Sequence, residues 1–150
     1  MLEPKTVSNG IVAGVFSGVV LAFFILLGGM TETLGSLINM PNKLGGLLVH
    51  FLISIVAGVV FALSLGRPLH SFGYAFAAGL VFGLLMWLIG PLTLFAPITN
   101  HASFTALWNM TGVQSTLHSL FGYLLYGVSL GLSYGFLKKG KLHKLKRAKG

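Results

Sequence analysis

The sequence predicts an all-α, polytopic membrane protein: a four-transmembrane-helix bundle followed by a short basic tail. Three observations carry that reading. First, of 150 residues 55% are hydrophobic and only 8% charged, whereas a soluble domain carries roughly a quarter of its residues as Asp, Glu, Lys or Arg. Between Gly10 and Leu137 the strong charges are Glu32, Lys43 and Arg67 alone. Second, the apolar residues gather into four stretches of about 20, the length that crosses a ~30 Å hydrocarbon core as a helix. Third, each stretch repeats small residues at four-residue spacing, which lays a flat stripe along one helix face and lets backbones approach closely in lipid.

The first span covers about 10–30. It has the position of a signal peptide, but its apolar run is too long for one. Glu3 precedes it and further spans follow, so it reads as a retained helix. Thr31-Glu32-Thr33 looks like its exit into polar headgroups. Pro41-Asn42 marks a turn, and the second span follows over about 46–65. The third covers about 71–91, and Pro91 in Trp87-Leu88-Ile89-Gly90-Pro91 is expected to end it, since proline lacks the amide a helix needs. The fourth covers about 115–137. Residues 1–137 thus form one membrane domain and 138–150 a tail. The loops at the far end, about 31–45 and 92–114, differ in character: the second has no charged residue yet holds Phe95, Phe104 and Trp108. It is expected to lie along the interface or fold over the bundle mouth, with Trp108 at headgroup depth. Asn109-Met110-Thr111 fits a glycosylation sequon, a pattern with a high chance rate.

The net charge of +8 is placed asymmetrically. Lys138, Lys139, Lys141, Lys144, Lys146, Arg147 and Lys149 crowd behind the last span, and Lys5 and Arg67 fall on the same side of a four-span chain. Lys43 stands alone opposite. By the positive-inside rule both termini are cytoplasmic in an inner (plasma) membrane. The tail is expected to meet anionic lipid headgroups rather than nucleic acid. Cysteine is absent, which excludes disulfides and thiolate metal sites.

The small-residue runs are Gly10-Gly14-Gly18-Ala22, Gly58-Ala62-Gly66, Ala75-Gly79-Gly83 and Gly127-Gly131-Gly135. With cytoplasmic termini, all four fall in the inner leaflet. The shape expected is a bundle closed toward the cytoplasm and looser toward the outside, and any stripe left on the outer surface favours homo-oligomers. Ala13-Gly14-x-x-x-Gly18 matches Ala78-Gly79-x-x-x-Gly83, and 49–66 parallels 117–135 with a histidine near the start of each. One explanation is a helical hairpin repeated once about an axis along the membrane normal, with His50 and His118 as equivalents. The other is chance similarity among common membrane residues.

His50 and His118 are the best candidates for chemistry, because a polar ring in hydrocarbon normally faces the bundle interior, a cavity or a partner. Each continues a semi-polar stripe expected to face inward: His50, Ser54, Ala57 and Phe61 on one helix, and His118, Gly122, Leu125, Ser129 and Ser133 on another. Two imidazoles on facing helices are able to ligate haem iron or a transition metal, or to pass a proton. Against that stands the ordinary role of a histidine near a helix end, bonding a carbonyl or a headgroup. His101 in the outer loop is a third nitrogen within reach of such a site, though a lone loop histidine is usually solvated. Glu32 is the one carboxylate near the spans, a candidate partner for Lys43 or His50 and more simply a helix-exit residue. Trp87 is either an aromatic wall for a planar ligand or an interfacial anchor. No acid/base pair, His-Glu-x-x-His helix, Gly-x-Ser-x-Gly elbow or phosphate loop is present, which argues against an enzyme.

The stretch Gly79 to Pro97, GLVFGLLMWLIGPLTLFAP, followed by a histidine-bearing last span, resembles a group of small bacterial four-span inner-membrane proteins, some with loose transporter-like labels. The resemblance implies the fold and transfers no catalytic residue. The function expected is non-enzymatic: an outward-facing pocket near His50 and His118 that binds or passes a small ligand. The alternatives are a haem- or metal-binding redox module and a structural or assembly subunit of a membrane complex.

Overall fold

The computed structural model describes residues 4–66, 71–100 and 102–147. All the regular structure among them is helical: α1 (Pro4–Leu27), α2 (Thr31–Ser36), α3 (Lys43–Ser64), α4 (Phe72–Trp87), a π-helical segment (Leu88–Leu94), α5 (Phe95–Asn100) and α6 (Met110–Arg147). Four helices are long and apolar enough to cross a membrane: α1, α3, the run Phe72–Ile98 and the Met110–Lys139 part of α6. Helices are the expected outcome, since lipid supplies no water for unpaired backbone groups.

Local chemistry sets the boundaries. Gly29 ends α1 in the left-handed region (φ 67°), and the Met30 amide reaches back to the Ile25 carbonyl at 3.2 Å, a Schellman closure. Asn42 caps α3 by accepting from the Gly45 amide at 2.8 Å, and Ser71 caps α4 by accepting from the Tyr74 amide at 3.1 Å. Asn109 does the same for α6 through the Gly112 amide at 2.9 Å, so two long helices begin with Asn-x-x-Gly.

Pro91 does not end the third span. The chain widens into the π-helical segment around it and continues through α5, because the wider turn tolerates a missing amide where an α-helix would break. Thr93 Oγ1 donates to the Leu88 carbonyl at 2.7 Å within that turn. The fourth helix likewise outruns its predicted limit. Its 38 residues make about 57 Å of helix at ~1.5 Å each, so helix continues from the span into the first part of the basic tail.

The helices pair as two antiparallel hairpins, α1 with α3 and α4 with α6, and α1 also packs along α6. Both hairpins cross on glycine. A Cβ at Gly58 would strike the Gly10 carbonyl and come within 2.7 Å of the Gly14 Cα; a Cβ at Gly127 would strike the Gly79 carbonyl and come within 2.7 Å of the Gly83 Cα. Gly14 faces the Ser54 carbonyl, and Gly83 faces the Tyr123 carbonyl. Each member of the second set lies 69 positions after its counterpart: Gly10 and Gly79, Gly14 and Gly83, Ser54 and Tyr123, Gly58 and Gly127. The hairpin geometry is therefore repeated, in a register that differs from the one suggested by the short sequence matches. Gly14 corresponds to Gly83, not Gly79, and His118 corresponds to Val49, not His50.

Between hairpins the packing uses large side chains. Phe61 and Leu130, themselves 69 apart, are both fully buried. The Phe61 ring stands edge-on to Phe82 on α4, with centroids 5.2 Å apart, and to Tyr134 on α6 at 6.0 Å. Tyr126 Oη donates to the Ser54 carbonyl at 3.1 Å, tying α6 to α3.

Candidate functional site: the loop end and the α1–α6 groove

The loop end is filled. His50 is buried, and its Nε2 donates to the Gly18 carbonyl oxygen of α1 at 2.8 Å. Its ring also lies against Phe51, centroids 5.3 Å apart. Space at Gly18 is tight here, since a Cβ would lie 3.0 Å from the Ser54 Cβ and 3.2 Å from Phe51. Trp87 is buried too, and its Nε1 donates to the Thr116 carbonyl of α6 at 3.0 Å. It ties two spans together. Beyond these rings, α2 folds back on α3: a Cβ at Gly46 would meet the Thr31 carbonyl, and Cβ atoms at Gly35 and Gly45 would meet the Met40 carbonyl.

This corrects two expectations. Among the described residues, the rings of His50 and Trp87 and the glycines of α2 and α3 pack the helices closely at the loop end. The histidines do not face a common open space, because His50 is sealed against α1 while His118 is exposed on the α6 surface. One turn further along α6, Gly122 is buried against Leu21 of α1 (3.1 Å from a Cβ there), so the α1–α6 contact begins beyond His118. Glu32 is exposed in the first turn of α2, where a carboxylate complements the helix dipole. His101 lies outside the described residues. Among the described residues no three of His, Cys, Asp and Glu come together as a metal site.

Trp108 is exposed, and its Nε1 donates to Thr93 Oγ1 at 3.2 Å, fastening the last loop to the π-helical segment. Lys138 is half-buried, and its Nζ donates to the Gly66 carbonyl at 2.9 Å. It caps the carbonyl end of the second span rather than standing free for lipid. Lys139 is exposed; Lys141, Lys144, Lys146 and Arg147 continue along the α6 backbone; Lys149, like Arg67, lies outside the described residues.

A concavity among the described residues lies away from the loop end, on the flank of the bundle. A groove of about 450 Å³ runs between α1 and α6, lined by Val12, Ala13 and Phe16 on one side and Ser129, Leu132, Ser133 and Phe136 on the other. It is concave because small residues, Ala13, Ser129 and Ser133, form its floor between larger flanks. Val12, Phe16 and Phe136 are 51%, 59% and 72% exposed, so it lies on the outer surface of the bundle rather than facing its interior. Sequence reasoning had placed Ser129 and Ser133 on an inward stripe with His118 and had not marked Val12, Phe16 or Phe136. The usable signal was local: two serines one turn apart, flanked by large apolar residues.

Among the described residues the fold is all-helical, with four helices able to cross a membrane and a groove on the outer surface of the bundle. Comparison with known proteins finds no matching family, no matching curated protein and no matching solved structure.

Proposed function

We propose that the protein is a non-enzymatic integral protein of an inner (plasma) membrane, of the kind its sequence resembles, and that it binds its ligand within the bilayer, along the α1–α6 groove. Both termini and the basic tail are read as cytoplasmic, supported by Lys5, Lys138 and Lys139 at one end and Lys43 at the other. The observation that carries the binding reading is the division of labour among polar groups. Those deep in the spans are spent on the fold: His50 on Gly18, Trp87 on Thr116, Tyr126 on Ser54. The polar side chains in the groove, Ser129 and Ser133, tie no helix to another in this way.

Native mass spectrometry of the protein released from mild detergent tests the reading. An apolar adduct is expected on the wild type, lost in the groove-filling variant Ser129→Phe with Ser133→Phe and kept in His50→Gln and His118→Gln. The reverse pattern would move the site to the loop end and overturn the assignment. A cysteine at exposed Ser103, unique in this chain, should react with an impermeant reagent from outside intact cells; reaction only after lysis would invert the topology.

A further inference from the structure

We propose that the α1–α6 groove is a site for an anionic phospholipid of the leaflet facing the termini, with one acyl chain in the groove and the phosphate between Lys5 and Lys139. The proposal rests on the groove being a binding surface and adds the class of ligand.

Depth is the first argument. From Phe16 to Lys5 the α1 helix rises about 16 Å, and from Ser129 to Lys139 the α6 helix rises about 15 Å, at ~1.5 Å per residue. Half of a ~30 Å hydrocarbon core is the same length, so a groove that starts near the midplane lies on two helices that reach the headgroups one leaflet away.

Register is the second. Lys5 precedes Val12 by seven residues and Lys139 follows Leu132 by seven. Seven residues are close to two helical turns, so each lysine shares a face with the wall it terminates. Both lysines are exposed. Lys138, the neighbour that register turns away, is the one bonded to Gly66.

Charge is the third, and it selects the occupant. An apolar trough whose two helices each carry an exposed lysine further toward the same end, Lys5 two turns beyond Val12 and Lys139 just beyond Leu137, matches a molecule with an apolar chain and an anionic head. A second copy of this chain, with net charge +8, would bring another lysine pair to the same mouth and be repelled there.

The test uses the full chain in phosphatidylcholine vesicles carrying a trace of phosphatidylglycerol or phosphatidylcholine with a diazirine in one acyl chain, photolysed and mapped by peptide mass spectrometry. Adducts at Val12–Phe16 and Ser129–Phe136 should be about tenfold more frequent with the glycerol headgroup, within what two interfacial cations supply. Lys5→Gln with Lys139→Gln should bring that ratio near one while circular dichroism stays unchanged, both side chains being exposed. Equal labelling by the two lipids in the wild type overturns the headgroup assignment and leaves the groove a binding surface. Labelling no denser in the groove than over the other lipid-facing side chains overturns both readings. A preference that survives loss of both lysines overturns the phosphate site. Disulfide dimers formed through Ser133→Cys would give the groove to a second copy and overturn the lipid.

Discussion

The α1–α3 and α4–α6 hairpins share one crossing and differ in how they close above it. At the crossing, glycine meets backbone in the same way in both, at positions 69 apart. One turn beyond, the roles are exchanged. In the first hairpin the small residue, Gly18, is on the leading helix and the ring, His50, reaches across from the returning one. In the second, the position equivalent to Gly18 is Trp87, whose ring reaches from the leading helix to the Thr116 carbonyl of the returning one. The position equivalent to His50 is Ser119. Each hairpin thus has one ring N–H donating to a backbone carbonyl across the pair, and which helix supplies it is free. The crossing is rigid because two backbones touch; the closure is tolerant because one side chain fills a gap of fixed size.

The largest effect that would break this comparison is a side chain at the crossing. Gly58→Leu and Gly127→Leu each place Cβ and more into a facing backbone, which cannot yield as a flexible side chain would. Overpacking of this kind typically costs about 1–3 kcal/mol and occasionally more. With backbone on both sides we expect the upper end, and loss of the native monomer in detergent unfolding. The two variants should behave alike. A large effect at one position and a negligible one at the other would show that the repeated geometry is not a shared constraint.

The exchange of rings gives a smaller effect. Trp87→Phe removes the bond to Thr116 and keeps most of the packing; His50→Leu removes the bond to Gly18 and keeps similar bulk. Hydrogen bonds between membrane helices average about 0.6 kcal/mol and reach about 1.7, so each variant should shift the unfolding midpoint modestly, and the two by similar amounts. If His50→Leu left stability unchanged while altering a ligand-dependent phenotype, His50 would be a site residue after all, and the closure reading of the first hairpin would fail.

Some of this was legible in sequence and some was not, for physical reasons. Four helical spans follow from apolar runs of one length, and the described residues form four such helices. Span limits were less legible at Pro91 and beyond Leu137: a proline announces a defect but not whether a π-helical turn will absorb it, and a lysine-rich helix end reads the same as a tail. The repeat was visible as glycine spacing, but its register was not, since every helix turn offers another four-residue match and only the facing backbone decides among them. The direction of His118 was missed for the same reason: a stripe through Ser129 and Ser133 is a helix face, and sequence alone does not say whether that face meets a helix or lipid. Here Ser129 and Ser133 line the groove and His118 lies on the exposed surface. Heptad spacing from Val12 back to Lys5 and from Leu132 on to Lys139 was present in the sequence, and it acquires meaning only once α1 and α6 are known to be neighbours.

The smallest expected effect separates the hairpins from each other. Tyr126→Phe deletes only the hydroxyl that donates to the Ser54 carbonyl across the hairpin junction. That carbonyl lies inside α3, where the helix already offers it the amide four residues on, so the variant orphans no acceptor. The ring still fills the same space. The cost should fall at about 0.5–1 kcal/mol, the net value of a hydrogen bond whose partner stays satisfied. Combined with Trp87→Phe it should be nearly additive, because the two bonds serve different contacts and share no atom. A coupling of about 1 kcal/mol or more in the double-variant cycle would mean that closure of the second hairpin and its docking onto the first are one event, and the two hairpins would have to be treated as a single cooperative unit.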